Sequence, residues 1–143
     1  MSGLIQFHQE GTNFSIHDEE SVADWIRTVV GRHHYSIQEI NYIFVTDQYL
    51  LEMNQKHLQH DTYTDIITFP YTLPNSTLLI GDIYISVERV TENAIKFNVS
   101  PVDEMHRVMI HGILHLVGIS DKTPEERAKM ELEENIALSL RMF

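Results

Sequence analysis

The sequence contains no cysteine in its 143 residues. This absence excludes disulfide bonds, zinc sites built from thiolates and cysteine nucleophiles. No run of about 18 apolar residues is present, so no segment is predicted to span a bilayer. The first residues, MSGLIQFHQEGTNF, lack a basic stretch followed by an apolar one. We therefore expect no secretory signal and take the cytoplasm as the default location.

Positive charge is scarce in this chain. Ten Lys and Arg residues stand against 21 Asp and Glu residues, which gives a formal net charge of −11. Non-specific binding of nucleic acid is therefore not expected, and any such role needs a local basic patch or a partner. Nine histidines are present, among them His33, His34, His57 and His60. They could add positive charge near their pKa, but the simpler interpretation is that they are ordinary surface residues.

The hydrophobic pattern predicts one α+β domain spanning residues 1–143. Apolar residues make up 43% of the chain, and the predicted order of elements is β, α, β, α, β, β, α, α, α. We expect a small mixed sheet of about four strands packed on helices. The short turn TLPNST predicts that the strands TDIITFPY and LLIGDIYIS are antiparallel neighbours. Pro70 indicates an edge or a bend, and Gly81 a bulge or a close approach.

Capping signals set the predicted helix ends. The first helix, DEESVADWIRTVVG, is expected to be capped by Asp18 and ended by Gly31. The last helix is expected to open with a capping box of Thr123 and Glu126. Between them, SPVDEMHRVMIHGILHLVG should form a central helix that ends at Gly118. Its apolar residues run almost all the way round, which predicts that it is buried.

Two histidines lie four residues apart in that central helix. His111 and His115 should therefore share one helix face, where two imidazoles can converge on one metal ion. His106 should point to the opposite side and is excluded as a ligand of that ion. Asp121 follows the end of the helix, and two His with one carboxylate form a known catalytic zinc arrangement. From the residues alone, histidines with satisfied hydrogen bonds and no metal remain the alternative.

The residue after the first histidine is Gly112. In His-Glu-x-x-His metallopeptidases a glutamate in this position activates water. Glycine cannot do this, so a peptidase of that type is not expected. Either another carboxylate acts as the base, or the metal alone lowers the pKa of the water sufficiently.

Three segments together resemble the YbeY family, the bacterial endoribonucleases of ribosomal RNA maturation. HGILHLVGISD is similar to the family's His-Gly-x-Leu-His-Leu-x-Gly-Tyr-Asp-His motif. TDIITFPY resembles its Thr-Asp-Val-Leu-Ser-Phe-Pro segment, and GDIYIS its Gly-Asp-Ile-x-Ile-Ser segment. LEMNQKHLQHD stands where the family has Leu-Asn before a loop. Order and spacing also fit, over roughly residues 40 to 121.

The resemblance implies a fold, a metal and a substrate. It implies a compact α+β domain with one divalent ion, most simply zinc, held by three residues at the end of a cleft. The family's third histidine falls on Asp121, so the implied ligands are His111, His115 and Asp121. The implied activity is cleavage of single-stranded rRNA, with a ribosomal protein or an assembly GTPase as partner and no role for a membrane.

Two departures from the family pattern affect the expected site. Because a carboxylate lowers the positive charge of the site, Asp121 should weaken phosphate binding and favour harder ions. Many family members have an arginine where this chain has Leu58. Leucine cannot bind phosphate or stabilise developing charge. Lys56, His57 or His60 are the candidates to replace that arginine.

The resemblance also draws attention to residues near the expected cleft. Asp82 is a weak candidate for a catalytic base or for orienting a ligand histidine, with capping of the next turn as the equal alternative. Asp65 is expected to fix its loop by hydrogen bonds. Phe69 and Tyr71 could stack on an unpaired base, although core and edge positions are the simpler interpretation.

The leading hypothesis is a metal-dependent endoribonuclease of single-stranded RNA in small-subunit rRNA maturation and ribosome quality control. The alternative is a non-catalytic ribosome-assembly factor with a structural metal that acts through protein partners. The acidic charge and Leu58 favour this alternative. A metal-dependent hydrolase of a small anionic substrate is a third, weaker hypothesis.

Overall fold

The strands and helices follow the order that the sequence predicts. A computed structural model describes residues 3–58 and 64–143, without the side chain of Leu58. The described elements are β1 (Leu4–Glu10), α1 (Glu19–Arg32), β2 (Ser36–Val45), α2 (Asp47–Leu58), β3 (Ile66–Pro70), β4 (Leu78–Ser86), α3 (Val87–Phe97), α4 (Pro101–Leu116) and α5 (Pro124–Ser139). The α+β class is confirmed.

The four strands form one mixed sheet in the order β1-β2-β4-β3. β1, β2 and β4 are parallel neighbours, and β3 pairs antiparallel with β4, as the short turn between them predicts. β3 is therefore an edge strand, which explains why it tolerates Pro70. Gly81 marks a close approach, because a Cβ atom there would lie 3.0 Å from the carbonyl oxygen of Phe69.

Alternation along β2 and β4 buries apolar side chains on both sides of the sheet. One face, which includes Ile40, Tyr42 and Ile83, joins the helices in the main core. Tyr42 also donates its hydroxyl to the carbonyl oxygen of Met109 in α4 at 3.0 Å. The other face forms a smaller cluster of Ile43, Val45, Leu50 and Ile67 beneath α2.

The buried central helix is α4, and its ends are set by local chemistry. Ser100 accepts a hydrogen bond from the backbone NH of Asp103 at 3.0 Å, and Pro101 occupies the first turn. At the other end Gly118 has a φ of +96°, a left-handed conformation that glycine adopts without strain. Helix α4 therefore ends at Leu116, one residue after His115, and lets the chain turn back.

The ends of the other helices differ in one respect from the prediction. Asp18 caps α1, and Thr123 and Glu126 form the capping box of α5, as expected. Gly31 does not end α1, which continues to Arg32, and the left-handed residue that follows is His34 with a φ of +67°. A glycine inside the last turn resembles a terminal glycine in sequence, which explains the error. None of the helices in the described ranges is long and apolar enough to cross a membrane.

Candidate metal centre

Helix α4 places His111 and His115 side by side at its carboxyl-terminal end. Their Nε2 atoms are 3.0 Å apart and their ring centroids 4.5 Å apart. Both side chains are partly exposed, although the helix around them is buried. Two ring nitrogens so close cannot both carry a proton without repulsion. Either one nitrogen donates a hydrogen bond to the other, or both direct their lone pairs at a shared metal ion.

The turn after α4 brings Asp121 to the same point. One carboxylate oxygen of Asp121 lies 3.3 Å from Nε2 of His111 and 3.4 Å from Nε2 of His115. Backbone NH groups of Gly118 and Ile119 donate to carbonyl oxygens of the last helical turn at 3.0 Å each, which fixes the path of this turn. The sequence prediction thus named three residues that the fold does bring together.

These three ligand atoms have the spacing that a metal ion requires. With bonds of about 2.0–2.1 Å, the ligands of a tetrahedral zinc ion lie about 3.3–3.4 Å from one another. The observed separations of 3.0, 3.3 and 3.4 Å are close to that spacing. His111, His115 and Asp121 form the one group of potential metal ligands of this kind among the described residues. The site therefore fits a divalent ion with two nitrogen ligands and one oxygen ligand.

Glu134 of α5 holds His111 from behind. Its carboxylate lies 2.7 Å from Nδ1 of His111 and also accepts a hydrogen bond from Arg107 at 2.8 Å. Because the carboxylate accepts the proton on Nδ1, Nε2 is left free for a metal. Burial alone would lower the pKa of His111, but Glu134, with Asp121 and Asp65, raises it above its ordinary value.

Sequence reasoning missed Glu134. A signal was present, because Met130, Glu134 and Ala137 follow the spacing of one helix face, and all three are buried. A carboxylate within an apolar face needs a partner. That the partner is His111, 23 residues earlier, depends on how α5 packs on α4.

Gly112 lies where α4 presses against the sheet. A Cβ atom added there would lie 3.0 Å from a methyl carbon of Ile66 and 3.1 and 3.2 Å from two of Ile83. The position that carries the base in His-Glu-x-x-His peptidases thus faces the sheet in this protein, where any side chain crowds Ile66 and Ile83. The prediction that Gly112 excludes that type of peptidase gains a structural reason.

The three residues line the floor of an open cavity of about 650 Å³ between α2, β3 and α4. Asp65, just before β3, lines the same cavity. Its side chain accepts a hydrogen bond from Asn93 of α3 at 3.5 Å, in keeping with the expected loop-fixing role, and its backbone carbonyl accepts one from the NH of Ser86 at 3.0 Å. Burial raises the pKa of the Asp65 carboxyl group, while the nearby His111 opposes this effect.

The comparisons with known proteins identify the family. The family model described as endoribonuclease YbeY matches residues 5–141. The chain belongs to the endoribonuclease YbeY family. The endoribonuclease YbeY of Cytophaga hutchinsonii is 44% identical over 139 residues, which cover 97% of this chain and 96% of that protein. The endoribonuclease YbeY of Bacteroides fragilis is 46% identical over 137 residues, covering 96% and 97% respectively.

A solved structure has the same fold. The solution structure of a Thermotoga maritima protein superposes with a TM-score of 0.67 at 27% identity, covering 95% of this chain and 87% of that one. The resemblance seen in the sequence rested on three short motifs. The similarity to the YbeY family in fact covers nearly the whole chain.

Asp82 is not part of this site, which corrects the sequence-based suggestion of a catalytic or orienting role. Side chains alternate along β4, so Gly81 and Ile83 face α4 while Asp82 faces the opposite side of the sheet. There Asp82 accepts a hydrogen bond from Asn41 at 3.2 Å. It does not cap the next turn either, since Ser86 caps α3.

The candidates to replace the YbeY arginine are placed only in part. Leu58 is the last residue of α2, but its side chain and all of His60 lie outside the described residues. Lys56 and His57 lie exposed in the last turn of α2. The ring of His57 packs edge-on against Phe69 at 6.2 Å.

The two aromatic candidates take the positions expected of core and edge residues. Phe69 packs edge-on against Tyr84 at 5.8 Å, on the sheet face away from α4. Tyr71 follows the edge strand and is exposed. His106, excluded as a ligand, is indeed on another side of α4, where Nδ1 accepts a hydrogen bond from Arg141 at 2.8 Å.

Proposed function

We propose that this protein is a zinc-dependent endoribonuclease that cleaves single-stranded RNA during maturation of small-subunit rRNA. As a member of its family, the chain is an endoribonuclease, a hydrolase that acts on RNA. The observation that supports the proposed mechanism is the convergence of His111, His115 and Asp121 within 3.0–3.4 Å on the floor of an open cavity.

The donor set supports zinc as the ion. Two imidazole nitrogens and one carboxylate oxygen, with the fourth position open to the cavity, are a ligand set typical of catalytic zinc. The carboxylate also makes the site acceptable to manganese or magnesium, which prefer oxygen ligands. An ion bound there would act as a Lewis acid on the phosphate and would lower the pKa of the attacking water.

The side chains around the ligands have distinct proposed roles. Glu134 orients His111, and Arg107 neutralises Glu134, so that the buried carboxylate does not stand alone. Asp65 replaces Asp82 as the candidate general base. Among the described residues, two carboxylates line the cavity, those of Asp65 and Asp121, and Asp121 is already a proposed metal ligand.

Cleavage of a labelled single-stranded RNA by the zinc-loaded protein tests this function. We expect His111→Ala to lose both the metal and the cleavage. Asp65→Asn should retain the metal and lose about 10²- to 10⁴-fold in rate, as for the loss of a general base. His8→Ala is the matched control, because His8 lies on the far side of the sheet and bonds to Asn41.

RNA left intact by the metal-loaded wild type would contradict the catalytic proposal. If such a protein nevertheless restored rRNA processing in cells, and His115→Ala restored it equally, the non-catalytic assembly factor would replace the enzyme. The net charge of −11 is the observation that favours this second function.

We also propose that the enzyme acts with a ribosomal protein or an assembly GTPase, in the cytoplasm where bacterial rRNA is processed. Exposed apolar side chains around the junction of α3 and α4 support a protein partner, namely those of Ile95, Phe97, Val99 and Val102. Co-sedimentation with precursor small subunits tests the proposal. Ile95→Glu should abolish it without affecting cleavage of free RNA.

A further inference from the structure

A second cavity adjoins the metal centre across the turn that follows α4. It has a volume of about 550 Å³ and is lined by the end of α1 and the two residues after it, by two residues of α5 and by residues 117–119. Four basic or titratable side chains face it, which we call the basic patch: Arg32, His33, His34 and Lys129. One carboxylate, Glu133, also lines this cavity.

The turn is shared by both cavities. His115, Leu116 and Asp121 line the metal cavity, while Val117, Gly118 and Ile119 line the second one. Gly118 is exposed, and a Cβ atom there would have nothing within 4 Å. Gly118 therefore adds no side chain to the part of the turn that lies between the two cavities.

The charge of the basic patch is only partly neutralised. Glu133 lies 2.9 Å from Arg32 and 3.5 Å from the ring of His33. The side chain of Arg32 is 42% exposed, so that part of its guanidinium group stays open to solvent. Lys129 is exposed and forms no ion pair with any residue in the described ranges. Burial lowers the pKa of His33, so Arg32 and Lys129 are the two permanently charged cations of the patch, set against the one carboxylate of Glu133.

We propose that the basic patch binds the phosphate backbone of the RNA strand whose scissile bond lies at the metal centre. The proposal rests on the proposed function, because it extends the same substrate beyond the site of cleavage. Proteins that bind single strands use a positively charged groove that follows the phosphate backbone. Here the basic patch begins one turn away from the ligands, and its cations suit phosphates rather than bases.

Fluorescence anisotropy of a labelled single-stranded RNA of about 12 nucleotides, a length that exceeds the metal cavity, tests the proposal. We expect Lys129→Ala and Arg32→Ala each to weaken binding severalfold. Each lost phosphate contact should also lower the slope of log K against log salt by about 0.7. Glu133→Gln should strengthen binding, because it removes the one carboxylate that lines the patch.

Lys96→Ala is the matched control. Lys96 lies on α3 beside the ring of Phe97, at 5.8 Å, and lines neither cavity. It should bind RNA like the wild type and keep the same salt slope. All variants should contain as much zinc as the wild type, because none of them alters a proposed ligand.

Two results would overturn the proposal, and they differ from a failure of the enzyme assignment. Unchanged affinity and salt slope in both patch variants would show that RNA does not contact the patch, even if cleavage persists. Loss of binding to an acidic peptide such as oligoglutamate, with RNA binding unchanged, would make the patch a protein-docking site instead. A wild type that neither binds nor cleaves RNA would contradict the proposed function itself, and not only the role of the patch.

Discussion

At the scale of single residues, the protonation pattern of His111 depends on Glu134. The carboxylate lies 2.7 Å from Nδ1, and in the neutral ring the proton that it holds there leaves the lone pair of Nε2 directed toward His115 and Asp121. An amide in place of the carboxylate could donate to Nδ1, and the proton would then move to Nε2. The metal would have to displace that proton before it could bind.

Glu134→Gln is therefore expected to weaken zinc binding by about 10- to 100-fold, the usual effect of losing a carboxylate that orients a ligand histidine. Competition with a chromophoric chelator measures the affinity. Glu133→Gln is the control, since Glu133 bonds to Arg32 and does not contact a ligand. Equal affinities for the wild type and Glu134→Gln would show that Glu134 has only a structural role.

His106 provides a prediction about stability against pH. Burial and the neighbouring Arg141 lower the pKa of His106 from an ordinary 6.5 to about 4. Between these pH values the unfolded chain binds a proton that the native state does not bind. The contribution of neutral His106 to the free energy of unfolding is therefore fully present above pH 6.5 and is lost as the pH falls toward 4.

We expect His106→Gln to remove about 1–2 kcal/mol of the acid-induced loss of stability between pH 7 and pH 4.5. The Gln side chain oxygen can still accept from Arg141, so the comparison isolates the titration. Urea unfolding at the two pH values gives the difference for each protein. Parallel losses in the wild type and the variant would contradict the low pKa.

At the scale of elements, the packing of α4 on the sheet fixes the metal centre. Gly112 permits this helix to approach Ile66 and Ile83 closely beside His111. Gly31 is the natural comparison, because it also lies within a helix but a Cβ atom there would meet nothing within 4 Å.

Gly31→Ala is expected to stabilise the protein by about 0.5–1 kcal/mol through helix propensity. Gly112→Ala gains the same propensity but overpacks the core by about 1–3 kcal/mol, so we expect a net loss near 1 kcal/mol. The shift of α4 should also weaken zinc binding. Thermal unfolding and zinc titration of both variants measure these effects. A stabilised Gly112→Ala would show that the helix can move away freely.

The elements were more predictable than the side-chain partners. The nine elements, the antiparallel pair and the convergence of His111, His115 and Asp121 followed from periodicity, capping signals and family motifs, which are local in sequence. Asp82 was misplaced because a family motif locates a residue along the chain and does not reveal its sheet face. Glu134 could not be paired with His111, because that contact depends on the packing of two helices.

At the scale of the whole molecule, metal binding should be linked to folding. The ligands come from α4 and from the turn that follows it, and Glu134 of α5 supports them. A metal that binds only the native arrangement stabilises it by roughly 2.7 kcal/mol at a free concentration of 100 times Kd. The stability of the protein therefore becomes a measure of the occupied site.

We expect added zinc to raise the Tm of the metal-free wild type by several degrees and a chelator to reverse the change. His115→Ala should show no such response, whereas His8→Ala, altered on the far side of the sheet, should respond like the wild type. Differential scanning calorimetry measures the shifts. An equal response of His115→Ala would place the bound zinc elsewhere.

The most direct test of the central claim is the zinc content per chain, measured by elemental analysis after dialysis against zinc and then against buffer. The wild type and Ser120→Ala, altered next to the ligand, should retain about one ion per chain, as expected for a single site with three protein ligands. Asp121→Ala should lose most of it. A wild type without zinc, or an Asp121→Ala variant that keeps its zinc in full, would contradict the site formed by His111, His115 and Asp121.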